Sequence, residues 1–299
     1  MRLITRSDFD GLACGALLVY LGLIDEWEFV HPKDTQDGLI TATDNDILAN
    51  IPYIRGCKLW FDHHASESER LGPRTYFEGV SRKAPSAARL VYEYYGGDEK
   101  LGRFAEMIHY VDKVDSGNLI TEEILHPHGW VLLGFIMDPR TGLGRFRDFT
   151  ISNYDLMKEL ARACSEKDID EILAMPDVME RVELYREQEV LFRDMLKQHA
   201  KIEGNALLID LRKETIYAGN RFLIYTIFPE QNVSVWVVDG RNNNVAITVG
   251  HSIINRSSTV NVGSLMLQHG GGGHDKVGTC QVSYEDADKV IAEIIDKVK

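Results

Sequence analysis

Cysteine is scarce here: four residues in 299 (Cys14, Cys57, Cys164 and Cys280), with no two at C-x-x-C spacing. That scatter argues against a disulfide framework and a thiolate zinc site, and leaves four reduced, packed thiols. Long apolar runs are missing too, so no segment reads as a membrane span. The opening Met1-Arg2-Leu3-Ile4-Thr5-Arg6-Ser7-Asp8 turns polar too early for a secretory signal, which makes the cytoplasm the expected compartment. Positive charge is in short supply: 33 Lys and Arg stand against 46 Asp and Glu, a net charge of −13. Proteins that grip long nucleic acid usually carry a basic face, because phosphate neutralisation supplies much of the affinity. An acidic total leaves room for a local basic cleft, yet favours a small substrate over a processive nuclease. Internal repeats and low-complexity tracts are absent as well.

The remaining composition, 44% hydrophobic and 26% charged, is that of a globular protein, and the length suggests two domains. The first half alternates short apolar runs with amphipathic stretches, as βαβ units on a mainly parallel sheet do. Strands are expected over 1–5, 28–31, 39–43 and 58–61, with a helix over 11–22. A further helix is expected over 84–95, with Pro85 in its first turn and Gly96-Gly97 as its stop, and the helical pattern resumes over 104–111. Residues 153–202 read as helix broken at Pro176; Val178, Val182, Tyr185, Phe192, Met195 and His199 form one stripe, which is core far more often than cofactor site. Beyond Gly204 strands are expected over 206–211, 233–238, 245–249 and 279–283, helices over 262–268 and 285–298, and a turn over Asp239–Asn244. The fold class is therefore α/β: an N-terminal, mainly parallel sheet with flanking helices (1–150), a helical linker (151–203) and a smaller C-terminal α/β domain (204–299).

Four places could carry chemistry. Asp8 and Asp10 in Ser7-Asp8-Phe9-Asp10-Gly11 follow the first strand, where open α/β sheets place their ligands; on an extended segment both would point to one side. A lone D-x-D-G is more often a surface turn. Asp62-His63-His64 ends another apolar strand, and a carboxylate with two imidazoles is hard to place in a core without partners; that donor mixture suits manganese, zinc or iron rather than calcium. Asp112-Lys113-Val114-Asp115-Ser116-Gly117 follows a helix and is a natural turn. Gly270-Gly271-Gly272-Gly273-His274 has more glycines than a helix cap needs, which favours close backbone approach to an anion. His31, His109, His126 and His128 have no matching partners and read as packed or exposed. Arg140, Arg145 and Arg147 could touch phosphate, with a solvated loop the better reading.

Asp8-x-Asp10-Gly11, Asp62-His63-His64, Asp115-Ser116-Gly117 and Gly270–His274, in that order, resemble the DHH phosphoesterase superfamily, and the C-terminal part resembles its DHH-associated substrate domain. Arg256-Ser257 ahead of Asn261-Val262 and the glycine run is similar to that domain's phosphate-binding pattern. The resemblance covers nearly the whole chain. It implies a site for two divalent ions, manganese foremost, with Asp8, Asp10, His63 and Asp115 as ligands and a bridging aspartate from the third strand. Asp44 and Asp46 are both candidates for the bridge, with Asp46 preferred because it precedes an apparent helix start. His64, with Asp62, would act on the substrate phosphate. Arg256, Ser257, Gly271, Gly272, Gly273 and His274 would bind the rest of the substrate. One departure stands out: positions where many members carry a metal-binding histidine hold Ile4 and Arg6, and Arg6 would then reach the substrate phosphate or weaken the first ion.

The implied activity is two-metal hydrolysis of a phosphodiester or phosphomonoester in a small nucleotide: a short oligonucleotide, a dinucleotide or an adenosine bisphosphate. An exopolyphosphatase cleaving phosphoanhydride bonds and a catalytically weakened nucleotide-binding protein stay open beside it. The expected partner is a small phosphate-containing substrate, without long nucleic acid or membrane; a homodimer stays open.

Overall fold

Leu3-Ile4, Ile47-Leu48-Ala49 and Trp60-Phe61 are fully buried, and a strand apolar on both faces needs cover on both, which a parallel sheet between helices provides. The computed structural model describes residues 1–64, 67, 71, 75–240 and 243–299. They divide into two compact units: Met1–Leu119 with Pro127–Leu184, and Ile120–His126 with Tyr185–Lys299.

The sheet of the first unit contains β1 (Arg2–Thr5), β2 (Glu26–Phe29), β3 (Asp46–Ala49), β4 (Leu59–Asp62) and β5 (Gly79–Ser81). All pairs are parallel and the order is β2-β1-β3-β4-β5. The order reverses between β1 and β3, and open α/β sheets bind ligands in the crevice at the carboxyl ends where this happens. Helices around the sheet include α1 (Phe9–Tyr20), α2 (Ala87–Tyr94), α3 (Ala105–Asp115), α4 (Gly129–Met137) and α5 (Asn153–Glu166). Residues Phe9–Leu18 of α1 are all buried, as expected of a helix that is apolar all round and packed on every side. The long helix α6 (Pro176–His199) starts at the proline expected to interrupt it, since proline's fixed φ suits a helix start.

The second unit holds a mixed sheet ordered β10-β11-β9-β8-β7-β6. Its strands are β6 (Ala200–Glu203), β7 (Ala206–Asp210), β8 (Val233–Asp239), β9 (Val245–His251), β10 (Gly272–Gly273) and β11 (Val277–Val282). Only β7 and β8 pair in parallel. Alternate residues Val233, Val235 and Val237 of β8 and Val245, Ile247 and Val249 of β9 form a core with α7 (Val262–Leu267) and α8 (Tyr284–Val298). Arg241 and Asn242 of the expected 239–244 turn lie outside the described residues. Among those described, no helix is long and apolar enough to cross a membrane.

Several expectations are corrected. Residues 39–43 form no strand; the third strand is Asp46–Ala49, so what looked like a helix start is β3 itself. Asp46 therefore opens its strand, on the amino edge of the sheet. It is 1% exposed, and its carboxylate accepts Arg2 Nε (2.7 Å) and Nη2 (2.9 Å) as well as the Thr43 amide (2.7 Å). Burial works to raise the Asp46 pKa, but these bonds outweigh it and hold the carboxyl below its ordinary range. The α2 helix begins after Ser86, whose Oγ caps Arg89 N–H, so Pro85 precedes the helix instead of lying within it. Asp112 and Asp115 lie on α3, not in a turn.

The glycine run has structural reasons that composition alone does not show. A Cβ at Gly271 would lie 2.2 Å from the Thr279 carbonyl oxygen, and one at Gly273 2.3 Å from that of Val277, while Gly270 has a φ of +74°. Gly272 has open space around its Cβ position and no positive φ. Gly271→Ala should thus cost about 1–3 kcal/mol of stability through overpacking, whereas Gly272→Ala should leave the urea midpoint within error. Asp46→Ala should lower stability by about 1.5–3 kcal/mol, the scale of charged hydrogen bonds, and leave divalent-ion binding intact. Loss of ion binding in that variant would contradict the structural role.

Candidate metal centre

The carboxyl ends of β1, β3 and β4 bring the motif residues together. Asp8 caps α1, its Oδ1 accepting the Gly11 amide at 3.0 Å, and Asp10 is in the helix's first turn. The two carboxylates thus flank a strand-to-helix junction and are not neighbours on an extended segment. Gly11 is required there, because a Cβ would lie 2.0 Å from the Arg6 carbonyl oxygen.

Asp10 is 2% exposed. Its two oxygens accept the backbone amides of Ala87 (2.9 Å) and Ala88 (2.7 Å), the first residues of α2, so the positive end of that helix stabilises the anion. Ser86 and Arg89 anchor this helix start to α3: Ser86 Oγ donates to Asp112 Oδ1 (2.7 Å), and Arg89 Nε and Nη2 both donate to Oδ2 of the same carboxylate (2.9 and 2.6 Å). The next acid on α3, Asp115, faces His63, with its Oδ2 3.4 Å from His63 Nε2.

His63 follows β4. Its Nδ1 is 3.2 Å from the Ala84 carbonyl, a partner that only accepts, so Nδ1 carries the proton and Nε2 has the lone pair. Nε2 is buried without a hydrogen bond among the described residues, 3.7 Å from Asp10 Oδ2 and 3.4 Å from Asp115 Oδ2. Asp10, His63 and Asp115 offer ligand atoms within 4.8 Å of one another. The donor set fits a borderline divalent cation, and the Ala84 contact has the form of the outer-shell bond that orients ligating imidazoles. Without a cation the arrangement is unfavourable: burial first, then the charges of Asp115 and Asp8, push the Asp10 carboxyl well above its ordinary value.

His64 lies outside this trio. Its Nδ1 is 2.9 Å from Asp62 Oδ1, and its amide donates to Asp62 Oδ2 at 3.2 Å. Asp62 is fully buried, and both of its oxygens contact His64. Burial alone would lower the His64 pKa; the Asp62 bond and the charges of Asp62 and Asp115 outweigh it, and the net shift is upward.

The structure does not bring Asp46 or Asp44 into the cluster. Asp46 opens β3, three residues and about 10 Å from its carboxyl end at Ala49, at ~3.3 Å per residue. Just past that end is Asn50, buried, at a φ of +57°, whose Nδ2 donates to Asp8 Oδ1 at 3.0 Å. Sequence reasoning missed it because β3 was placed too early; a polar amide closing the apolar run Ile47-Leu48-Ala49 was the available signal. Arg6 Nε is 3.2 Å from Asp8 Oδ2. Arg140, read as a solvated loop residue, is paired with Asp138 (2.7 Å) and lies within the field of Asp8 and Asp115. Within the second unit, Arg256 Nε donates to the Ile253 carbonyl (2.9 Å), Ser257 Oγ accepts from Asn232 (3.0 Å), and His274 closes the strand pairing with Val277 (2.7 Å).

A scan of protein-family profiles and a search of curated proteins returned no match. Among solved structures, the chain is 48% identical to a pGpG-specific phosphodiesterase, PggH from Vibrio cholerae, with 99% of this chain and 98% of that one covered and a TM-score of 0.85. It shares its fold with RecJ of Thermus thermophilus in complex with Mn2+ at 15% identity and a TM-score of 0.56, spanning 51% of that chain. The chain belongs to the DHH phosphoesterase superfamily. As a member it is a metal-dependent phosphoesterase, a hydrolase.

In this DHH phosphoesterase the carboxylate cluster is held together against its own repulsion. Asp115→Asn should therefore raise the stability of the metal-free chain by a few tenths to about 1 kcal/mol. With Mn2+ added, wild type should gain about 2.7 kcal/mol at a hundredfold excess over Kd, and the variant far less. An equal gain in both, followed by differential scanning fluorimetry, would contradict the assignment of Asp115 to the cluster.

Proposed function

We propose that the chain hydrolyses the internal phosphodiester of the linear dinucleotide pGpG, releasing two guanosine monophosphates, with manganese as its ion. The full-length likeness to a pGpG-specific phosphodiesterase carries this reading. The acidic net charge supports a short substrate over a long one.

Asp10, His63 and Asp115 hold the ion, which when bound polarises a phosphoryl oxygen and lowers the pKa of a coordinated water. His64, kept in one orientation by Asp62, donates a proton or hydrogen bond to the phosphate as charge develops on it. The Asp62 bond and the neighbouring acids shift its pKa upward against the effect of burial. Arg140 adds a cation beside the same acids. In the second unit Arg256, Ser257, Gly271, Gly272, Gly273 and His274 bind the rest of the dinucleotide. Gly272, with open space beside its Cβ position among the described residues and no positive φ, is the run's point of close backbone approach.

Chelation should abolish pGpG cleavage, and manganese should restore it better than calcium, because the ligand set includes an imidazole. pGpG should be cleaved in preference to longer oligonucleotides and polyphosphate; equal turnover of polyphosphate would overturn the substrate assignment. His64→Ala should reduce kcat by about 10²–10³-fold, as losing one oriented transition-state partner does, with bound metal unchanged. His63→Ala should lower metal affinity by at least about 10–100-fold. Arg256→Ala should raise KM by an amount equivalent to about 1.5–3 kcal/mol, the scale of a charge-assisted contact.

A further inference from the structure

The superfamily resemblance implies a second ion with Asp8 as a ligand, and the residues around Asp8 do not fit one. Each oxygen of that carboxylate already faces a donor. Oδ1 receives the Gly11 amide and Asn50 Nδ2, both at 3.0 Å, and Oδ2 faces Arg6 Nε at 3.2 Å. Both lone pairs of Oδ1 are taken by N–H donors, and an ion approaching Oδ2 would meet the fixed positive charge of the Arg6 guanidinium. The bridging carboxylate expected from the third strand is missing as well. Asp46 is at the other end of β3, committed to Arg2 and Thr43, and the residue at the site end is an amide that turns its Nδ2–H group toward Asp8. The two sides of the centre therefore differ in kind. On one side Asp10, His63 and Asp115 converge with two carboxylates and one imidazole lone pair. On the other, one carboxylate is balanced by a guanidinium that cannot deprotonate in a protein.

We propose that this chain holds one divalent ion per active site, and that Arg6 and Asn50 occupy the second ion's place, with the Arg6 guanidinium as a fixed positive charge. This rests on the reading that Asp10, His63 and Asp115 hold an ion. The substitution is not chemically neutral: a guanidinium can pair with an anion and donate to it, but it has no open coordination position and cannot bind hydroxide. Asn50 keeps Asp8 hydrogen-bonded without adding negative charge. The left-handed backbone at Asn50 (φ +57°) is tolerated better by asparagine than by most side chains.

Counting ions tests this directly. Full-length protein stripped with chelator would be dialysed against excess Mn2+, freed of unbound ion, and assayed for manganese per chain by mass spectrometry. Low-temperature EPR would be recorded on the same sample. The expected result is one manganese per chain with the spectrum of an isolated ion, falling toward zero in His63→Ala. Two per chain with an exchange-coupled spectrum would overturn the inference while leaving the Asp10–His63–Asp115 site standing. No bound manganese in wild type would overturn both. The double variant Arg6→Ala, Asn50→Asp removes the competing cation and returns a carboxylate beside Asp8, so it should gain a second manganese. A folded double variant that still holds one ion would show that these two residues are not what excludes the second. The wild-type count decides the stoichiometry even if that variant fails to fold.

Discussion

The Asp10 carboxylate is anchored by the first two amides of α2, and most of the first unit can be understood from what that contact requires. A charge with 2% exposure would be costly to bury without hydrogen bonds to the charged form. The helix start supplies them, and must itself be fixed in place. Ser86 caps the helix and donates to Asp112, Arg89 clamps that same acid, and Asp115 extends from the next turn of α3 toward His63. One chain of hydrogen bonds thus sets the separation of the acids that face the imidazole. Positioning by backbone amides on rigid elements is what a metal centre needs, because ligand directions then do not depend on side-chain rotamer entropy.

The same logic explains why the centre is at this edge of the sheet. The order β2-β1-β3-β4-β5 opens a crevice between β1 and β3, and the residues just past these strands, Asp8 and Asn50, meet across it at 3.0 Å. β4 adds His63 from the adjacent position. Gly11 lets the loop after β1 turn tightly enough to deliver two carboxylates in three residues. Burial and the charges of Asp115 and Asp8 still push the Asp10 carboxyl well above its ordinary value, a cost that a bound cation would relieve.

Much of this was legible in the sequence, and what was not has identifiable causes. The D-x-D-G and D-H-H groups were visible because each follows a short apolar run, and the alternating pattern gave the parallel sheet. The third strand was misplaced because Leu39–Thr43 and Ile47–Ala49 are both short apolar segments beside polar ones, and four-residue strands have too little pattern to separate them. That error carried Asp46 into the ligand set and hid Asn50. Asp115 was read in a turn because Ser-Gly after it signals a turn, yet the helix runs through Asp115 and stops immediately beyond it. The glycine run favoured a functional reading, since sequence does not reveal that β11 packs its backbone against Gly271 and Gly273. The Arg6–Asp8 contact is likewise a matter of loop geometry, which no spacing rule encodes.

The most direct test of the metal centre is anomalous diffraction at the manganese edge from crystals soaked in Mn2+. The account predicts a peak within about 2.0–2.3 Å of His63 Nε2 and of oxygens from Asp10 and Asp115, the usual range for such ligands. A peak bound instead at Asp46 or Asp44, or a centre without His63 among its ligands, would contradict it.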